Sequence, residues 1–158
     1  MLEAEPGAGK TTVVPLRLLD EPWLGDGRIV MLEPRRLAAR AAAARMASLL
    51  GDRVGNIVGY RTRDDAKVSR ATRIEVVTEG ILTRQLQTDT DLEDVGLIIF
   101  DEFHERSIHA DLALALCLDL CQLKADLHLL VMSATLDAQP LAHLLGNVPI
   151  LTGTGQQH

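Results

Sequence analysis

Two alternating patterns of apolar positions run along the chain. Short stretches rich in valine and isoleucine, at 28–33, 56–60, 73–78, 95–101 and 127–133, read as strands. Between them, apolar residues recur at helical spacing over 10–19, 36–50, 79–87, 109–123 and 138–145, several of these segments starting beside a polar cap or stopping at glycine. The stretches LIIF and LHLLVM are apolar without interruption, as strands covered on both faces must be. Strands alternating with helices predict an α/β fold, with a mostly parallel sheet and helices on both faces. Pro15, a turn into the first helix, is predicted to cost it one backbone hydrogen bond. The tail TGTGQQH is polar and glycine-rich, so 151–158 reads as a frayed end or the start of a linker, leaving 1–150 as one domain.

Composition narrows the class. A chain of 158 residues, 47% of them hydrophobic, can bury one respectable core and not two. Its longest apolar runs fall far short of the roughly 20 residues that cross a bilayer. No basic-then-apolar leader is present, so a soluble, cytoplasmic protein without a membrane partner is expected. Cys117 and Cys121 share one helix face and are expected to be reduced, buried thiols; metal or redox use would need further ligands nearby. The net charge of −6 is unevenly spread. Residues 28–73 carry eleven Lys and Arg against four acids, a local charge of +7, which leaves −13 for the rest. A basic third on an acidic body is either a footprint for a phosphate backbone or a set of solvated helix faces, and charge alone does not choose.

Candidate chemistry begins at AEPGAGKT, residues 4–11. Gly7 and Gly9 allow left-handed backbone that turns N–H groups inward, with Ala8 between them. Lys10 reaches β- and γ-phosphates, and Thr11, followed by Thr12, offers a hydroxyl to Mg²⁺. Ala4 replaces the first glycine of the strict pattern, and a plain Gly-rich turn opening a helix is the alternative. A site for ATP also needs an acid to hold the metal. Strand 95–100 runs straight into Asp101 and Glu102, placing two carboxylates at a carboxyl-terminal strand edge, where open α/β sheets bind ligands. Asp101 suits the metal and Glu102 suits orienting and deprotonating a water. Alone, the pair could equally cap a helix, but each motif supplies what the other chemically lacks.

The segment DEFHERS, 101–107, resembles the DEAH-box signature of superfamily 2 helicases, with Phe103 in place of the usual alanine. Together with PGAGKTT and VGYRTRDDAKVSRATRIEVVTEGILTRQLQ, it makes the chain similar to the bacterial HrpB-type branch over about residues 4–148. The resemblance implies a RecA-like P-loop NTPase lobe, the first motor lobe of an ATP-dependent RNA helicase. Glu33-Pro34-Arg35-Arg36 resembles motif Ia and Thr78-Glu79-Gly80 motif Ib, which in the family contact the backbone of single-stranded nucleic acid, RNA more than DNA. Arg35 and Thr78 are the leading contacts. Ser133-Ala134-Thr135 resembles motif III, which couples nucleotide state to domain movement, and His104 would belong to the polar network linking it to the metal site. The remaining histidines acquire no role, and Trp23, Tyr60 and Phe103 are too scattered to form a stacking platform, so binding through phosphates and sugars is expected.

The resemblance also implies a second RecA-like lobe that supplies arginines to the transferring phosphoryl group. Nothing here resembles that lobe's Gln-Arg-x-Gly-Arg motif, and an absent arginine finger costs roughly 10³–10⁵ in rate. The expectation is therefore a lobe cut at both ends, with residues 1–3 as the last rung of a shortened central strand, binding ATP yet hydrolysing it slowly and unwinding nothing alone. Two other classes compete: a small-molecule kinase, for which no lid segment is found, and a non-catalytic remnant that keeps the fold.

Overall fold

The structure, a computed structural model, describes residues 1–5, 9–88, 92–134 and 138–153. Gly7, Ala8 and Thr135 lie outside the described residues, as do 154–158. In chain order the elements are β1 (Leu2–Ala4), α1 (Lys10–Leu18), β2 (Arg28–Leu32), α2 (Arg36–Leu49), β3 (Val58–Arg61), β4 (Ala66–Lys67), β5 (Ile74–Val77), α3 (Glu79–Thr88), β6 (Val95–Phe100), α4 (Ile108–Leu123), β7 (His128–Ser133), α5 (Ala138–Leu144) and β8 (Leu151–Gly153). They form one eight-stranded sheet in the order β4-β3-β5-β2-β6-β7-β1-β8. Every pairing is parallel except β3 with β4.

Two cores, one on each face, account for the unbroken apolar strands. Ile29 and Met31 of β2 pack with Leu97 and Ile99 of β6 beneath α1 and α2. Val30 and Leu32 face the other way with Ile98 and Phe100, under α3 and α4. Neighbouring residues thus enter opposite cores, so each position must be apolar. Among the described residues no helix is long and apolar enough to cross a membrane.

Three features differ from the pattern-based reading. Residues 151–153, read as the start of a polar tail, form β8 and pair with β1, Leu2 opposite Leu151 and Glu3 opposite Thr152. β1 itself is interior, held between β7 and β8, but one place from the sheet edge and not central. β4 is a two-residue antiparallel edge strand that no periodicity announces. Pro15, by contrast, lies where the sequence put it, buried inside α1, which continues past it to Leu18.

Because the sheet is parallel, the carboxyl ends of β1, β2, β5, β6 and β7 open along one edge. There they deliver, respectively, the loop before α1, Glu33, Thr78, Asp101 and Ser133 with Ala134.

Candidate nucleotide and nucleic-acid site

Gly9 sets the start of α1. Its φ of 78° is left-handed, a conformation that glycine adopts without the penalty a Cβ brings. The turn directs the first residues of α1 at the end of β6. Thr11 Oγ1 donates to Asp101 Oδ2 at 2.7 Å, across 90 residues of sequence. Lys10, only 5% exposed, brings its Nζ to 3.8 Å from Glu102 Oε1. Glu102 is itself left-handed, at φ 52°. A non-glycine residue there stores on the order of 1–3 kcal/mol of strain, and the turn sends the two neighbouring carboxylates to different partners. Asp101 faces Thr11 and also accepts the Glu102 backbone N–H on Oδ1 at 2.9 Å.

His104 follows in a short 3₁₀ turn, Phe103–Glu105. Its Nε2 lies 3.1 Å from Glu102 Oε2, and its Nδ1 accepts the Ala134 N–H at 3.0 Å. An accepting Nδ1 carries no proton, so the ring proton sits on Nε2 and points at the carboxylate. One imidazole therefore joins the turn after β7 to Glu102. Glu102, His104 and Glu105 come close enough to surround a cation, but the occupied ring nitrogens make His104 a hydrogen-bonding bridge and not a ligand. Thr11 and Asp101 are hard oxygen donors 2.7 Å apart, the donor type Mg²⁺ takes, so these residues fit the metal. A cavity of about 410 Å³ opens beside them, lined by Thr11, Thr12, Glu33, Arg35, Glu102 and Glu105 among others.

The residues predicted to meet nucleic acid divide into groups. Arg36, Thr78 and Gly80 converge on a cavity of about 320 Å³ with Arg63 and Arg84. Arg35 turns instead to the cavity beside Thr11, where its guanidinium pairs with Glu105. Pro34 and Glu79 line a small cavity together with Asp101, and Glu79 Oε1 accepts from Ser107 Oγ at 2.7 Å.

The model of the DEAD/DEAH box helicase family matches residues 1–144. The chain belongs to that family. It is 54% identical over 99% of its length to the ATP-dependent RNA helicase HrpB of Escherichia coli, of which it spans 19%. It is also 36% identical over its whole length to mouse ATP-dependent RNA helicase DHX29, of which it spans 12%. A crystal structure of E. coli DExH-box NTPase HrpB superposes on 98% of the chain with a TM-score of 0.92, covering 19% of that protein. The chain thus spans about a fifth, or less, of these relatives, and its fold is the RecA-like fold of the HrpB structures.

Within this helicase domain, two features escaped the sequence. Glu33 is 4% exposed, and its carboxyl pKa is pushed up to about 9, first by burial, then by a hydrogen bond to Asp101 and by the charges of Asp101, Glu102 and Glu105. It is a neutral acid at pH 7, donating to Asp101. Five of the eleven cations in the basic third, meanwhile, are paired with acids among the described residues: Arg28 with Glu75 and Asp94, Arg35 with Glu105, Arg61 with Glu75, Arg36 with Asp64 and Arg40 with Asp65. Arg63 forms no ion pair among the described residues, and its place beside Thr78 was not foreseen because eleven basic residues in one stretch gave no means of ranking them.

Proposed function

We propose that this chain is the first motor lobe of an ATP-dependent RNA helicase, residues 1–153 forming one RecA-like unit that binds ATP–Mg²⁺ and the backbone of a single strand. The observation that carries the reading is the meeting of Thr11 and Asp101 at 2.7 Å with Lys10 and Glu102 alongside. Gly7, Ala8, Gly9 and Thr12 would surround the phosphates with backbone N–H groups, and Lys10 would neutralise them. Thr11 and Asp101 would hold Mg²⁺, which would supply positive charge against the charge that develops on the transferring phosphoryl group. Glu102, aimed by His104, would orient the attacking water and take its proton. Because Ala134 holds the far side of that imidazole, movement of Ala134 would reach Glu102 through His104. Arg36, Thr78 and Gly80 would take the strand, and a second lobe would supply the arginines for fast turnover. A metabolite kinase leaves the Arg36–Thr78 cavity without a role.

The test is ATP affinity with and without Mg²⁺. Mg²⁺ should tighten binding in the wild-type chain, and Asp101→Asn should remove the tightening. Equal tightening in both would refute the metal assignment. Glu102→Gln should leave ATP–Mg²⁺ affinity within about threefold, since the change removes chemistry and spares the phosphate-binding groups.

A further inference from the structure

A second basic cavity, of about 520 Å³, adjoins the one at the strand ends, and Ile81 and Arg84 line both. It is organised around Glu75, a buried carboxylate on β5. Glu75 accepts from Arg28 Nη1 at 2.6 Å, Arg61 Nε at 2.9 Å and Gln85 Nε2 at 3.3 Å. A buried carboxylate persists when paired in this way, and here it also fixes two guanidinium groups in place. Arg28 is further held by Asp94, at 2.7 and 3.2 Å. Arg70 and Arg84 stand differently. Both are exposed, both line the cavity, and neither forms an ion pair among the described residues. The four arginines outnumber the two acids, Glu75 and Asp94, so the cavity suits an anion.

Gln85 narrows the choice of anion. Its amide nitrogen is committed to Glu75, so its Oε1 faces away from that carboxylate, and this oxygen is buried without a hydrogen-bond partner. An acceptor so buried is closed to solvent in this conformation, and it gains a partner when the half-buried Gln85 side chain turns toward a donor in the cavity it lines. A sugar hydroxyl provides one; a bare phosphate ion at neutral pH is chiefly an acceptor. The cavity is also continuous, through Arg84, with the one where Arg36 and Thr78 meet.

We propose that this cavity is a further subsite for the same single strand: a sugar–phosphate unit beyond Thr78 passes along α3, its phosphate on Arg70 and Arg84 and its sugar beside Gln85. The inference rests on the single-strand reading above. It makes Arg70, in the loop after β4, a nucleic-acid contact, with guanidinium donors suited to phosphate oxygens.

The experiment measures fluorescence anisotropy of labelled oligouridylates, a hexamer and a dodecamer, binding to the 158-residue chain. The dodecamer should bind more tightly than the hexamer in the wild type. Arg70→Glu should weaken the dodecamer about tenfold, the effect of removing one charge-assisted hydrogen bond, and leave the hexamer within about twofold. The dodecamer's log–log salt slope should also shrink by about 0.7 for each phosphate that is no longer neutralised. Arg70 is exposed on a loop, so the substitution leaves the core intact; a Tm unchanged from wild type verifies this. Dodecamer affinity unaltered by Arg70→Glu overturns the inference while leaving the strand-end site standing. Failure of both oligonucleotides to bind the wild type overturns the strand reading and this subsite together. If inorganic phosphate shifts the amide resonances of residues 69–72 and Arg84 while the dodecamer ignores the substitution, the cavity holds free phosphate and the strand path is wrong.

Discussion

Replacing Glu33 with glutamine tests the most unexpected feature of the site. Glu33 is buried, its carboxyl pKa is raised from an ordinary 4.5 to about 9, and its proton lies toward Asp101. The folded chain therefore holds a proton that the unfolded chain releases across this window. Stability contributed by the protonated acid is fully present below pH 4.5 and is lost as pH rises toward 9. The slope is at most about 1.4 kcal/mol per pH unit, so between pH 6 and 8 the wild type should lose up to roughly 3 kcal/mol through this residue. For a chain of this size that corresponds to a fall in Tm of roughly 5–10 °C. Glutamine keeps the shape and donates an N–H to Asp101 without titrating. Urea denaturation in EDTA at pH 5, 6, 7 and 8, on wild type and Glu33→Gln, is the assay. The two should agree near pH 5 and diverge upward, with the variant the more stable at pH 8. Parallel curves would refute the assignment of the proton to Glu33.

Two other substitutions probe what supports the site. Ser107 caps α4, its Oγ accepting the Ala110 N–H at 2.9 Å while donating to Glu79; Ser107→Ala should cost about 1 kcal/mol in denaturant unfolding, and a change under about 0.3 kcal/mol would contradict the cap. Phe100 is wholly buried and meets Phe103 edge-on at 6.1 Å between ring centroids, so Phe100→Ala should cost about 3–5 kcal/mol, read as a lowered urea midpoint with an unchanged slope.

How much of this was legible in the residues depended on whether the determinant was local. β6 and β7 were readable because burial on both faces demands unbroken apolar runs. β4 and β8, two and three residues long, were not, since only the partners they pair with make them strands. Lys10, Thr11, Asp101 and Glu102 stood out by motif spacing and residue type, and the structure brings these four together. The neutral Glu33 could not be seen, because it depends on the register that sets Leu32 opposite Phe100 and so places two acids side by side at adjacent strand ends. The pairing of the basic third was hidden for the same reason. Its charge was counted along the chain, whereas Asp94 and Glu105, which neutralise Arg28 and Arg35, arrive from outside it through tertiary pairing.

Whether the loop before α1 holds a nucleotide is decided by calorimetric titration of ATP–Mg²⁺ into the 158-residue chain and its Lys10→Ala variant. Lys10 is buried, with Glu102 as its ion-pair partner at 3.8 Å, so circular dichroism first verifies that the variant is folded. Saturable heat in the wild type that disappears in folded Lys10→Ala is the predicted result. Equal affinity in the two chains, or no binding to the wild type at millimolar nucleotide, would contradict it.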